Sequence, residues 1–355
     1  MKASIFEYGS EFDWNANEAF WKQTDSSQAA FFAAQKFRSG RDAMKAVALA
    51  VKDRCSRVLL PALCCESMVS PFTMHGIEPV FYKLCPNYTA DVQDVQQKLR
   101  PDTVLVYGSY FGIDPFDDEM LATLRRLYPK TLFMEDRTQD VLTPRENRGF
   151  TPDVTVASIR KWIPIADGGL LWGTVKTESQ TDDTFARLRK DAMVMKSQYL
   201  RSGDARVKDC FRQLLGQASE YLDEKSQPYE MTEESRQLLE RLDFEKIYTC
   251  RQANAHALQR VLDHGRAKLH YITGTPEKST LYFPVLVDEQ EKVQSALAQE
   301  GIYCPVIWPI PQQARGVCEV AEFTAEHMLG VPCDQRYTPE DMTYIGQKIL
   351  EIVNE

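Results

Sequence analysis

Residues 103–136, TVLVYGSYFGIDPFDDEMLATLRRLYPKTLFMED, hold the pattern that decides the fold. TVLVYGSY opens on a β-branched apolar run and reads as a strand, DDEMLATLRRLY reads as a helix, and TLFMED returns to a strand. Strand, helix and strand at this spacing make a crossover unit, the connection that joins parallel neighbours in a sheet. The alternation continues on both sides. AMKAVALAV places Met44, Val47, Ala48 and Val51 at helical spacing, and RVLLPAL follows as a short buried strand. SMVSPFTMHG and ADVQDVQQKL read as helices around the strand PVFYKL, and VTVASI and GGLLWG extend the set beyond TLFMED. An α/β fold with a mostly parallel sheet covered on both faces is the expectation, and ligands of such sheets gather at the carboxyl ends of the strands.

After Gly173 the chain turns polar and helix-rich to about residue 228, and EESRQLLERLDFEKIYTCRQANAHALQRVL, residues 233–262, reads as one long helix with Ile247, Cys250, Ala257 and Val261 on its apolar side. A smaller α/β unit follows, built from TLYFPVLV, EQEKVQSALAQEG and IYCPVIW. The last helix, TPEDMTYIGQKILEIV, starts with a capping-box-like Thr338 and Asp341, has Pro339 at its first position, and aligns Met342, Ile345, Ile349 and Ile352. The expected division is a large domain over 1–245 and a small C-terminal α/β domain over 246–355.

With 355 residues, 43% hydrophobic and 26% charged, the chain has mass for a sizeable core. A net charge of -9 disfavours nucleic-acid backbones and anionic lipid as partners. The segment MKASIFEYGSEFDWNANEAFW carries acids where a signal peptide needs an apolar run, and no stretch approaches the ~20 apolar residues of a membrane span, so a cytoplasmic protein is expected. Nine Cys without a C-x-x-C pair read as free thiols. The five His show no metal-ligand spacing.

Three features fall at the expected carboxyl ends: Asp136, closing TLFMED, with Gln139 three residues on; Lys161, with Ser158 three residues before it; and Ser39-Gly40-Arg41, immediately before a helix. These are the parts of a pyridoxal 5'-phosphate site. A Lys amine forms a Schiff base with the cofactor aldehyde and afterwards moves protons at the substrate α-carbon. A carboxylate keeps the pyridine nitrogen protonated, Gln139 can bond the phenolic oxygen, and Ser39, Gly40, Arg41 and Ser158 can cradle a phosphate at a helix start. Taken singly each has a plainer reading: a solvated loop Lys, a turn Asp, an ordinary N-cap. A nucleotide-binding α/β protein is the remaining alternative, with only the poor fingerprint GSYFG to support it.

At these residues the chain resembles the DegT/DnrJ/StrS family of PLP-dependent sugar aminotransferases, which have the aspartate-aminotransferase-like fold type I. Ser39-Gly40-Arg41-Asp42-Ala43-Met44 is similar to the family's S-G-T-x-A-L, Glu135-Asp136-Arg137-Thr138-Gln139 to its E-D-x-A-H/Q, and Lys161 with Asp167-Gly168-Gly169 to its Lys and E-G-G. GIEPVFYKL, IYCPVIWPIP and LGVPCDQRYTPEDMTYI extend the likeness to the C-terminus, whereas 174–227 do not align. The resemblance implies a homodimeric enzyme that transfers an amino group, from glutamate, to a keto-sugar or similar small molecule. It also carries departures. Cys65 stands where the family has an aromatic ring against the cofactor, Arg41 where it has a phosphate-binding Thr, and Pro228 where it has an Asn that reaches the neighbouring subunit's phosphate. Cys65 and Pro228 keep open a second reading, a PLP-binding regulator or scaffold without transaminase activity.

Overall fold

The computed structural model describes residues 7–15, 20, 33–143, 149–265, 269–272, 274, 278 and 280–355. Of the N-terminal segment read above, residues 1–6, 16–19 and 21 lie outside the described residues. In chain order the elements are β1 (Tyr8–Gly9), β2 (Gln35–Phe37), α1 (Gly40–Val51), β3 (Arg57–Pro61), α2 (Glu66–Thr73), β4 (Glu78–Tyr82), α3 (Val92–Lys98), β5 (Thr103–Gly108), α4 (Asp118–Leu127), β6 (Leu132–Asp136), β7 (Val154–Ala157), β8 (Gly169–Gly173), α5 (Thr184–Ser202), α6 (Ala205–Glu224), α7 (Glu233–Arg241) and α8 (Phe244–Leu262). Then come β9 (His270–Tyr271), β10 (Phe283–Leu286), α9 (Gln290–Gln299), β11 (Ile302–Tyr303), α10 (Glu319–His327), β12 (Met328–Val331) and α11 (Pro339–Asn354).

The stretch 103–136 is β5, α4 and β6, with β5 and β6 paired in parallel and Gly108 opposite Asp136. Val104, Leu105, Val106, Phe133 and Met134 are fully buried, which is why these strands read as unbroken apolar runs; each such side chain contributes roughly 1.5–3 kcal/mol of transfer free energy. Between them α4 starts on Asp117, whose carboxylate accepts from Met120 N at 2.7 Å, and buries Leu121 and Leu124. Seven strands make the sheet in the order β2, β8, β7, β6, β5, β3, β4. From β7 to β4 all pairs are parallel, and β8 runs antiparallel to both of its neighbours. The ends of β2, β3, β5, β6 and β7 therefore open on one edge, with the start of β8 among them.

The C-terminal part packs a three-stranded antiparallel sheet, β12-β10-β9, against helices whose buried residues include Leu258, Leu297 and Ile345. Thr338 and Asp341 close a complete capping box, and Met342, Ile345 and Ile349 are fully buried as their spacing predicts. Two sequence expectations are corrected here. The long helix over 233–262 is two, because Leu242 turns to extended backbone and Asp243 caps a new start by accepting from Lys246 N at 3.0 Å. IYCPVIW contributes only the two-residue strand β11, which pairs with β1, plus a single bridge from Val306 to Leu329. All nine cysteines are free, and among the described residues no helix is long and apolar enough to cross a membrane.

Candidate active site

One cavity, of about 110 Å³, opens at the carboxyl edge of the sheet. Its walls include all eight residues singled out from the sequence: Ser39, Gly40, Arg41, Cys65, Asp136, Gln139, Ser158 and Lys161. A larger space of about 570 Å³ shares Gln139, Arg160, Lys161 and Trp308 with it. Lys161 thus borders both.

The start of α1 is locked from below. Ser39 caps it by accepting from Asp42 N at 3.0 Å, and its hydroxyl donates to Asp42 Oδ2 at 2.7 Å, so the hydroxyl is committed to the helix start. Arg38 grips the same carboxylate through two bonds of 2.9 Å, and both side chains are fully buried. Lys45, also fully buried, donates to Leu222 O at 3.1 Å; burial lowers its amine to about 8. A paired charge in such a setting is costly to break and fixes the geometry around it.

Glycines let three segments meet. A Cβ on Gly40 would stand 2.8 Å from the Ser158 Cβ, and one on Gly169 would overlap the Ser39 carbonyl. The Gly168-Gly169 pair, conspicuous in an apolar stretch, therefore lets β8 pass directly under the start of α1. Gly169→Ala has only backbone to push against, so it should destabilise the protein by about 3 kcal/mol or more, read as a lower urea midpoint.

Lys161 sits in a short 3₁₀ turn after β7, held on its C-terminal side by Trp162. Trp162 is fully buried and donates from Nε1 to Thr138 O at 2.7 Å, and its carbonyl accepts from Gln335 and Arg251. Burial lowers the Lys161 amine below the ordinary lysine value; Cys65 and Asp136 oppose that effect, and the cations Arg160 and Arg41 reinforce it. Asp136 shifts the other way. Burial raises its carboxyl, while hydrogen bonds from Thr138, including N–H to Oδ1 at 2.8 Å, and the charge of Lys161 favour the ionised form.

The cavity leaves strong polar atoms unanswered. Gln139 Oε1, Arg41 Nε and Arg160 Nε are buried without a hydrogen-bond partner among the described residues. Such atoms are expensive unless something fills the space between them. Sequence reasoning missed Ser109, Tyr110, Thr138 and Leu222 of the wall and did not assign Arg160. Tyr110 bonds Leu63 O at 2.6 Å and, with Phe111, packs against Trp308, each ring 6.2 Å from it. Leu222 comes from α6, inside the segment that showed no likeness to the family. Cys65 caps α2 without a side-chain cap bond, its Sγ 2.8 Å from Ser67 Oγ, and Pro228 borders neither space.

Strand order and site position define the class: this is the fold of the PLP-dependent, fold type I aminotransferases. No family model matches the chain, and no curated protein matches it in sequence. Among solved structures, S. venezuelae DesV in complex with a ketimine intermediate is similar over 96% of this chain and 90% of its own, at TM-score 0.64 and 17% identity. Helicobacter pylori PseC, an aminotransferase involved in the biosynthesis of pseudoaminic acid, is similar over 99% and 100%, at 0.64 and 13%. A DegT DnrJ EryC1 StrS aminotransferase from Brucella abortus is similar over 92% and 88%, at 0.60 and 13%.

Proposed function

We propose that this chain is a PLP-dependent aminotransferase of the DegT/DnrJ/StrS type, moving an amino group from glutamate to a keto-sugar or a similar small molecule. The observation that carries the reading is a half-buried amine, Lys161, and a half-buried carboxylate, Asp136, on the wall of one cavity at a helix start. The residues fit the cofactor: an amine with a lowered proton affinity, an acid for a ring nitrogen, and unpartnered polar atoms around the remaining space. Bound there, pyridoxal 5'-phosphate would supply an aldehyde for the amine and an electron-accepting ring.

The chain's own groups then divide the work. Lys161 Nζ would anchor the cofactor and, once released by the incoming amine, take and return a proton at the substrate carbon that bears nitrogen. Asp136, fixed by Thr138, would hold a proton on the ring nitrogen. Gln139 would face the phenolic oxygen, and the Gly40 and Arg41 N–H groups, with Ser158, would receive the phosphate. Cys65 would cover one ring face with a thiol, leaving the larger space beside Trp308 for substrate.

The same reading divides the chain near residue 245 into a large and a small domain and makes the protein a cytoplasmic homodimer. Borohydride reduction followed by peptide mass spectrometry tests it. A phosphopyridoxyl group on the Lys161 peptide is the expected result; a group on another lysine, or none, overturns the assignment. A cofactor that stays spectrally unchanged with every amino donor would favour the binding-only reading that Cys65 motivates.

A further inference from the structure

The roles above leave Arg160 without a task, yet it borders both spaces and follows β7 directly before Lys161. Among the described residues its side chain makes no ion pair or hydrogen bond; its guanidinium lies 5.6 Å from the centre of the Phe185 ring. The acids near it are already engaged. Glu11 pairs with Arg189 at 2.9 Å, and Asp42 is held by Arg38. Arg41, in the first turn of α1, lies close enough to Arg160 for each to feel the other's charge. Among the described residues its one ionic partner is Asp223, an exposed acid at the end of α6, and its Nε is unpartnered like that of Arg160.

Two guanidinium groups sharing one cavity with buried, unanswered N–H groups form a costly arrangement unless an anion joins them. The start of α1 adds backbone donors to the same cavity, and Gln139, 8% exposed with an unpartnered Oε1, independently marks the space as built for a polar ligand. A carboxylate offers one charge and two oxygens; a phosphomonoester offers nearly two charges and three, matching two planar forks and a helix start.

We infer that Arg41 and Arg160 form a two-arginine clamp for the phosphoryl group of the bound ligand, supplied by a single chain. Naming that ligand as the cofactor rests on the function proposed above; the clamp itself does not. Apo-protein titrated with pyridoxal 5'-phosphate and with pyridoxal, followed by the absorbance of the lysine-bound aldehyde, separates the phosphoryl contribution from the rest. Wild type should prefer the phosphorylated form by at least ~100-fold, and R160Q and R41Q should each lose roughly 10- to 100-fold in its affinity while binding pyridoxal nearly as before. Unchanged affinity for the phosphorylated form in both variants, or equal losses for both aldehydes, would overturn the clamp.

R160K, which keeps a charge without the fork, should show an intermediate loss and serves if R160Q does not fold. Inorganic phosphate at constant ionic strength provides an arm free of the aldehyde. It should raise the unfolding temperature of wild type, raise that of R160K less and leave that of R160Q unmoved, and no rise in wild type would sink the proposal. A rise without attachment of either aldehyde would leave the clamp standing and remove the cofactor assignment instead.

Discussion

Lys161→Ala is expected to lower transamination by roughly 10⁴-fold or more, because one substitution removes both the cofactor's covalent anchor and the group that moves the substrate proton. The fold should not suffer. The amine lies among Arg160, Arg41 and apolar walls that disfavour its charged form, so its loss relieves a burial cost, and the unfolding temperature should be equal to wild type or higher. The pH dependence sharpens the test. A lysine with a folded value below its ordinary 10.5 binds fewer protons folded than unfolded between those two values. Stability therefore rises with pH across that window, and wild type minus variant isolates the contribution of Lys161 from those of Lys45 and Lys196, which burial also lowers. A variant with wild-type turnover, measured with glutamate and a keto-sugar acceptor, would eliminate Lys161 as the reacting amine.

Much of the site was legible in the sequence because its members stand where a regular period stops. Asp136 closes β6, Ser158 and Lys161 follow β7, and Ser39 to Arg41 open α1, so strand and helix patterns alone bring them to one edge. What the sequence hid has two physical causes. Leu222 reaches the cavity from α6, far along the chain, and local periodicity carries no information about such a return. Polar residues inside apolar stripes also mislead. On α8, Arg251 and Asn254 are buried beside Ile247 and Ala257, because Arg251 bonds Gln335 at 2.8 Å and Asn254 bonds the carbonyls of Asp334 and Tyr337 at 2.9 and 3.0 Å. The break at Asp243 was masked similarly: apolar spacing continues across it, while the extended backbone of Leu242 and Asp243 and the capping bond from Lys246 N separate two helices from one.

Asp136→Asn carries the second large expected effect, a fall in turnover of roughly 10²- to 10⁴-fold with the cofactor still attached to Lys161. The amide can accept the Thr138 N–H bond that now fixes the carboxylate, so shape and packing persist while the charge does not. Without that charge a ring nitrogen in the cavity has no group to keep it protonated, and the electron demand on the substrate carbon fails. The acid side of the pH profile provides an independent check. Burial raises the Asp136 carboxyl above its ordinary 3.8, against the pull of Thr138 and Lys161, so wild-type activity should decline as pH falls through that raised value. The residual activity of the Asn variant should lack this limb, since it has no carboxyl to protonate there. Loss of activity with the limb intact would assign the titration to another group, and turnover within about threefold of wild type would remove Asp136 from the chemistry, since a lost acid–base contact costs far more.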